Sequence, residues 1–171
     1  DDSNGEQILI AESGAIVEYL LQNYGKNSSL IIPETGSQQE RDYLYWLHFS
    51  EGSLMPLLLL RLIFERVKKA RVPFFVKPIT KAVADKVLIE YVNPNINRLF
   101  DFIESSLNGK KWFLGEQLSG ADIQMSFPLE TSVSRDLINE NYTCIQSFVK
   151  RIHEQPAYQA AHKKGGKYDY A

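Results

Sequence analysis

Apolar residues recur at helical spacing through most of this 171-residue chain, and that periodicity restricts the fold more than any other feature. A long helix is expected at residues 39–66, with a bend at Pro56, because proline removes a helical hydrogen bond and clashes with the preceding turn. A second is expected at residues 79–107, interrupted at Pro94. Shorter helices are expected at residues 120–139, at residues 142–154 and from Ala157 onward. The pattern predicts a mainly α-helical chain.

Only residues 1–24 carry a strand signature. The apolar run at residues 8–11 meets Glu12 and Ser13, and helical spacing begins at Ile16, which predicts a strand that feeds into a helix capped by Ser13. The cap serine and the first-turn N–H groups of such a helix can bind a carboxylate or a phosphate. Glu12 beside them suits an ammonium group. The pair fits the amino-acid end of a small peptide, and a plain capped helix is the alternative.

Composition changes divide the chain into three parts. Residues 26–38 are polar, contain Pro33 and Gly36, and are expected to link a small N-terminal unit at residues 1–25 to an all-α domain at residues 39–171. Within that domain residues 67–77 are basic and contain Phe74 and Phe75. We expect a solvated connector there. RNA stacking is the disfavoured alternative, because the whole chain is acidic and no RNA-binding motif is present.

A second helix start is defined by Ser119-Gly120-Ala121-Asp122. A serine at the cap can accept from the backbone N–H of the third helical residue, and an acid at that position can reach back to the N–H of the cap. Ser119 and Asp122 are therefore expected to form a capping box with a role in stability and not in catalysis.

Bulk composition narrows the class of protein. The chain has 44% apolar and 23% charged residues, and its net charge of −2 gives no reason to expect nucleic acid or an anionic membrane as a partner. This composition and the single cysteine are typical of a protein in a reducing compartment, so we expect a cytoplasmic protein. No uninterrupted apolar run reaches the roughly 20 residues that span a bilayer, so no membrane span is expected. The single Cys144 excludes an internal disulfide. His48, His153 and His162 lack the spacing of metal ligands, so no metal site is expected.

Four segments of the chain resemble the cytosolic glutathione transferases, and the fungal members most closely. Residues 8–20, which include Glu-Ser-Gly-Ala-Ile, resemble the glutathione-binding turn of that family. Residues 45–56 are similar to its first long helix, residues 113–123 to its most diagnostic segment, and residues 155–161 to its closing turn and last helix. The resemblance implies a helical bundle of the transferase C-terminal type, preceded by the last strand and helix of a thioredoxin-like α/β domain.

The family's first βαβ unit, which carries its catalytic Tyr, Ser or Cys, would precede these segments. Asn4-Gly5 is a typical hairpin turn, yet no strand comes before it, and a lone strand cannot satisfy its own backbone groups. We therefore expect the chain to be a truncated transferase. The catalytic residue stays unknown on this evidence.

The resemblance also implies roles for individual residues. Glu12 and Ser13 match the residues that hold the γ-glutamyl part of glutathione, and Glu51 is the acid that can approach its ammonium group. Tyr45, His48 and Phe49 lie on the helix that lines the cleft and are candidates for the pocket of an apolar electrophile. The alternative for the aromatic residues is a place in the core. The alternative for His48 is that it lies on a face of the helix that meets solvent or a dimer partner.

The function implied by the resemblance is conjugation of glutathione, through its sulfur, to apolar electrophiles in detoxification. Glutathione is then a co-substrate, no other cofactor is needed, and the protein is expected to be a homodimer. The alternative is a non-catalytic, transferase-like interaction or regulatory protein.

Overall fold

The computed structural model describes residues 1–2, 5, 7–166 and 168. Eight α-helices lie in that part of the chain: α1 Ser13–Tyr24, α2 Gln38–Phe49, α3 Met55–Lys68, α4 Lys77–Val87, α5 Asn93–Leu107, α6 Gly120–Ser134, α7 Thr143–His153 and α8 Pro156–Gly165. Among the same residues no β-ladder forms, and isolated bridges join Ile31 to Ser119 and Trp112 to Gly115. The prediction of a mainly α-helical fold is confirmed.

Two π-helical turns join four of these helices into two long ones. Ser50–Leu54 connects α2 to α3, and Leu88–Val92 connects α4 to α5. Each turn lies just before a proline, Pro56 or Pro94, in the first turn of the helix that follows. Because proline has no N–H, a carbonyl of the preceding turn loses its usual donor and the backbone widens there. The irregularities predicted at both prolines are present, as wide turns within continuous helices.

The first of these long helices, Gln38–Lys68, is long and apolar enough to cross a membrane by length and composition alone. A core helix of a bundle passes the same test. Tyr43, Trp46, Leu47 and Phe49 in its first half are buried in this bundle. The expectation that the chain does not span a membrane stays a prediction.

The core of the bundle lies between α5, α6 and α7. Phe100, Ile103, Met125, Leu129 and Phe148 are all fully buried there. Burying one such side chain contributes roughly 1.5–3 kcal/mol, so these residues are the main source of stability for the helices that carry the site. The second turn of α6, close to the site described below, is therefore held in a rigid part of the molecule.

Helix α1 packs on the start of α6 at a glycine. A Cβ atom built on Gly120 would lie 2.6 Å from Leu21 Cδ1, 2.7 Å from Val17 Cγ1 and 2.8 Å from the Tyr43 hydroxyl. Those distances are too short for a Cβ atom at position 120 unless the three side chains, or α1 itself, move. The absence of a side chain lets α1 approach α6, and this brings the N-terminus of α1 to the face of α6 that carries Gln124.

The strand predicted at residues 8–11 does not form among the described residues. The N-terminal ammonium of Asp1 donates to the Ile8 carbonyl at 2.7 Å, and the Ile8 N–H donates back to the Asp1 carbonyl at 2.7 Å. No further pairing follows, and Leu9 is 96% exposed. A strand needs a neighbour for its backbone groups, and none of the described residues supplies one. In the hairpin turn predicted at Asn4-Gly5, Gly5 adopts a positive φ of 82°. Asn4 lies outside the described residues.

The segment predicted as a linker, residues 26–38, is attached to the bundle at both ends. The Ile31 N–H donates to the Leu118 carbonyl at 2.9 Å, next to the start of α6. Ser37 caps α2, since its hydroxyl accepts from the Glu40 N–H at 3.0 Å. The division of the chain into domains stays a prediction.

Helix α6 ends at Ser134, earlier than the predicted end at residue 139. Asp136 adopts a positive φ of 54°, and the Leu137 N–H donates to the Ser132 carbonyl at 2.9 Å. This left-handed turn satisfies a carbonyl of the last helical turn and reverses the chain. Asn and Asp tolerate that conformation better than other residues with a side chain, but the sequence pattern alone did not indicate the stop.

Candidate functional site

Ser13 is the first residue of α1 and not its cap, which corrects the prediction. The cap position belongs to Glu12, whose side chain makes no capping hydrogen bond. The Ser13 hydroxyl oxygen instead accepts a hydrogen bond from Gln124 Nε2 at 2.7 Å. The serine is engaged by α6, 111 residues away in sequence, and this contact replaces the local capping bond.

The backbone at Glu12 is unusual for a residue with a side chain, with φ 74° and ψ 122°. Such conformations cost on the order of 1–3 kcal/mol and persist where the surrounding structure imposes them, often at functional sites. The Glu12 carbonyl accepts the first helical bond, from the Ile16 N–H at 2.9 Å. The N–H groups of Ser13, Gly14 and Ala15 precede that bond. Within the described part of the chain they donate to nothing, which leaves them available to an anion.

Glu51 lies in the π-helical turn between α2 and α3, and its side chain is exposed. Gln124 Nε2 is 3.4 Å from Glu51 Oε1, so one amide group faces both Ser13 and Glu51. Gln124 itself is only 6% exposed. The Ser50 hydroxyl donates to the Gln124 backbone carbonyl at 2.9 Å in the buried interior, and this fixes the π-helical turn against α6.

The structure therefore brings Ser13 and Glu51, both predicted from the sequence, to a common neighbour that was not predicted. Glu12, one residue before Ser13, is exposed at the edge of the same group. The sequence contained a signal for Gln124 that was overlooked: it lies one helical turn after Gly120, on the face of α6 that contacts α1.

The three residues predicted to form an acceptor pocket have different surroundings. Phe49 is buried, and its ring centroid lies 5.1 Å from that of Trp46. This residue therefore occupies the core position that was the alternative to a place in the pocket. Tyr45 is 49% exposed, and its ring lies 5.7 Å from Phe49 and 6.1 Å from Phe102. His48 is exposed. The acceptor pocket stays a prediction.

The capping box predicted at Ser119 and Asp122 is present. Asp122 Oδ2 accepts from the Ser119 N–H at 2.8 Å and from the Ser119 hydroxyl at 2.6 Å, while the Ser119 oxygen accepts from the Asp122 N–H. Asp122 Oδ1 also accepts from the Phe113 N–H at 2.8 Å, a contact that was not predicted. Burial raises the pKa of Asp122, and these hydrogen bonds oppose the rise. Because it is wholly buried, the carboxylate acts on the fold and not on a ligand.

A further buried acid, Glu130, was not predicted from the sequence. It is 3% exposed, and its carboxylate contacts His153 Nε2 at 2.6 Å and accepts from the hydroxyls of Tyr158 and Tyr168, the latter at 2.7 Å. Burial, together with Glu130, raises the pKa of Tyr158. The group joins α6 to α7, to α8 and to the residues after it, and a glutamate within an apolar stretch was the available signal.

The described residues contain no group of three or more His, Cys, Asp or Glu side chains placed to bind a metal ion. Cys144 is partly exposed, and burial and the nearby Glu104 raise the pKa of its thiol. Thr143 and Arg151 oppose the rise but do not reverse it. A raised pKa leaves less of the thiolate that nucleophilic chemistry needs, so the surroundings as a whole do not activate this cysteine.

Comparison with known proteins identifies a family for this chain. Residues 65–156 match the family model described as the glutathione S-transferase C-terminal domain. The chain is 32% identical over 166 residues to glutathione S-transferase 1 of Saccharomyces cerevisiae, covering 96% of this chain and 70% of that protein. It is 29% identical over 157 residues to glutathione S-transferase 3 of Schizosaccharomyces pombe, covering 92% and 64%.

A solved structure of a glutathione S-transferase from Actinobacillus pleuropneumoniae superposes on this chain with a TM-score of 0.68. The two are 29% identical, and the match covers 95% of this chain and 66% of the other. The chain therefore spans about two thirds of the length of the proteins that it matches.

Proposed function

This chain belongs to the glutathione S-transferase family, and we propose that it holds the γ-glutamyl end of glutathione for transfer of the glutathione sulfur to an apolar electrophile. The observation that carries the proposal is the position of Gln124. Its amide contacts Ser13 and Glu51 beside three N–H groups of α1 that have no partner among the described residues.

The γ-glutamyl group carries one carboxylate and one ammonium, and the site has a complement for each. The Ser13 hydroxyl accepts from Gln124, so its own proton is left to donate to the carboxylate, together with the first-turn N–H groups of α1. Glu51 and Glu12 supply negative charge for the ammonium. Gln124 sets the direction of the Ser13 hydroxyl and acts as a positioning residue.

In the proposed reaction the glutathione thiolate attacks an electrophilic carbon, a carbon–sulfur bond forms, and the leaving group departs with its electron pair. The thiol proton must be lost first, because the thiolate is the nucleophile. No residue of this chain is assigned to that step. Tyr45 and His48, which are exposed, remain the proposed contacts of the acceptor, with the buried Phe49 packed behind Tyr45. Glutathione is a co-substrate that requires no metal.

We extend the proposal to a homodimer, because apolar side chains on the long helices face outward. Leu59, Ile63, Val83, Ile89 and Tyr91 are each between 45% and 66% exposed. Apolar surface of this kind is typical of protein–protein contacts. The same proposal includes a cytoplasmic location and a role in detoxification. It also includes a division of the chain into a thioredoxin-like unit at residues 1–25, a linker and a helical domain.

The decisive experiment is a calorimetric titration of the purified protein with three thiol peptides. Glutathione and γ-glutamylcysteine share the γ-glutamyl group, whereas cysteinylglycine lacks it. We expect the first two to bind with similar affinity and cysteinylglycine not to bind. Equal binding of all three peptides would refute the assignment of a γ-glutamyl site. Selective binding by a full-length protein that conjugates no electrophile would favour the non-catalytic alternative.

A further inference from the structure

The connection between α3 and α4, taken with the adjoining ends of both helices, is the most basic part of the molecule. Residues 66–81, here called the tip, contain six basic residues, Arg66, Lys68, Lys69, Arg71, Lys77 and Lys81, and no acidic one. The other 155 residues carry 13 basic and 21 acidic side chains, a net charge of −8. The net charge of the whole chain is small because the basic tip and the acidic remainder nearly cancel. The charge of the whole chain therefore does not predict the charge of this segment.

The tip also exposes apolar side chains that the fold does not use. Phe74 is 86% exposed, Phe75 is 66% exposed and Ile79 is 64% exposed. The turn that carries them is well defined, since the Val76 and Lys77 N–H groups both donate to the Pro73 carbonyl, at 2.9 and 3.2 Å. The two phenylalanine rings contact each other edge to face, with centroids 5.5 Å apart. Large aromatic side chains this exposed fit a surface that buries them.

Most of the positive charge at the tip is not neutralised by the protein. Lys68 pairs with Asp85 at 2.5 Å, and both side chains are 31% exposed. None of the ion pairs between described residues involves the other five basic side chains. The tip therefore carries five exposed cations without an ion pair, in the same segment as two exposed aromatic rings.

We propose that the tip docks on an anionic lipid surface, with Phe74 and Phe75 inserted at the boundary between headgroups and acyl chains. Basic side chains beside exposed aromatic residues are the usual features of peripheral membrane binding. This inference goes beyond the proposed glutathione site and does not depend on it. It also differs from a membrane span, because the helices on either side of the tip belong to the bundle: α3 packs against its core through the partly buried Leu58 and Phe64, and α4 buries Ala84.

RNA fits the tip less well than lipid does. Thr80 is the one uncharged polar side chain among residues 66–81, so apart from this hydroxyl and its cations the segment has no polar side chain to read base edges. The two rings also meet at 87° and do not form parallel platforms for stacked bases. A symmetric contact between two copies centred on the tip would oppose five cations to five cations, which disfavours the second copy as occupant.

The test is co-sedimentation of the protein with vesicles of phosphatidylcholine alone and of phosphatidylcholine mixed with phosphatidylserine. We expect binding to the mixed vesicles only, weakened by added salt. The double variant Phe74→Ser, Phe75→Ser should lose roughly tenfold or more of its vesicle affinity. The double variant Lys69→Gln, Arg71→Gln should lose about fivefold for each charge removed.

Matched controls come from exposed positions far from the tip in sequence. Leu9→Ser removes an apolar side chain that is 96% exposed, and Lys163→Gln with Lys164→Gln removes two exposed charges from α8. Both should bind vesicles as the unmodified protein does. Phe74→Trp adds a direct readout, since Trp46 and Trp112 are 6% and 7% exposed. Its emission should shift to shorter wavelength with mixed vesicles and be quenched by brominated acyl chains.

Equal binding to both kinds of vesicle, or full binding by the Phe74, Phe75 double variant, would overturn the proposal. So would tighter binding to single-stranded RNA than to mixed vesicles, lost in the same tip variants. A change in molecular mass by light scattering in those variants would assign the tip to a contact between copies. Ser13→Ala should leave vesicle binding unchanged, which separates this test from that of the glutathione site.

Discussion

The side-chain amide of Gln124 lies 2.7 Å from the Ser13 hydroxyl, although the two residues are 111 positions apart in the chain. The same amide faces Glu51 at 3.4 Å. This contact links the N-terminus of α1, the π-helical turn before α3 and the second turn of α6. The proposed γ-glutamyl site depends on it.

Ser13→Ala tests that site directly. The substitution removes a hydroxyl donor to a carboxylate, and we expect it to weaken glutathione binding by roughly 1.5–3 kcal/mol. Calorimetry on the purified variant measures the change. Ser105→Ala is the control, since this serine is exposed and its hydroxyl donates to the Phe102 carbonyl within α5. The glutathione affinity of that variant should match that of the unmodified protein. Unchanged affinity in the Ser13 variant would refute the assignment.

Gln124→Met tests the positioning role. The apolar side chain fills the same buried space but cannot donate to Ser13, so glutathione affinity should fall about as far as in Ser13→Ala. If Gln124 acts through Ser13, the double variant should lose little more than either single one, with a coupling of about 0.5–3 kcal/mol. A double-mutant cycle in binding free energy gives this value. Strict additivity would mean that the two residues act separately.

Asp122→Ala tests the buried cap. The change leaves the N–H groups of Phe113 and Ser119 without their acceptor, so we expect a loss of about 3 kcal/mol in the free energy of unfolding. Urea titration followed by circular dichroism measures it. Glu154→Ala, at an exposed position, should change stability by less than about 0.5 kcal/mol. Glutathione affinity of the folded fraction should stay the same, and a large drop would mean that the cap also shapes the site.

Tyr43 makes the free energy of unfolding depend on pH in the alkaline range. Burial, with a smaller contribution from Glu18, raises the pKa of Tyr43 to about 12. An unfolded tyrosine has a pKa of about 10, so the folded state holds this proton more tightly than the unfolded state does. The stabilisation is fully present below about pH 10 and is lost as the pH rises through about 12.

The variant Tyr43→Phe has no proton to lose at this position. Its unfolding free energy should therefore fall less steeply than that of the unmodified protein across this range, as measured by urea midpoints at several pH values. Tyr91→Phe, at a position 57% exposed, is the control and should follow the unmodified protein. Parallel curves for all three proteins would contradict the expectation.

Local patterns in the sequence were enough to predict the helices and the capping box. Pro56 and Pro94 indicated where the long helices change geometry, and Ser119 and Asp122 define their turn through neighbours three residues apart. Those features depend on interactions within one or two helical turns, where spacing along the chain equals proximity in space.

Apart from the end of α6, which a local turn at Asp136 sets, the failed predictions and the missed Glu130 group depended on distant partners. Ser13 was expected to cap its own helix, and instead it contacts Gln124 from another helix. The strand at residues 8–11 required a neighbour that none of the described residues provides. Glu130 and its tyrosine partners are 28 and 38 residues apart in sequence, and no periodic pattern connects them.

The dispersion of the proposed site over residues 13, 51 and 124 has a thermodynamic consequence. Such a site exists only in the folded chain, so a ligand of the proposed site would bind the native state and not the unfolded one. At a hundred times its dissociation constant, that ligand would add about 2.7 kcal/mol to the free energy of unfolding. Glutathione bound there would act as a concentration-dependent stabiliser, and we expect the population of unfolded molecules to rise when glutathione is depleted.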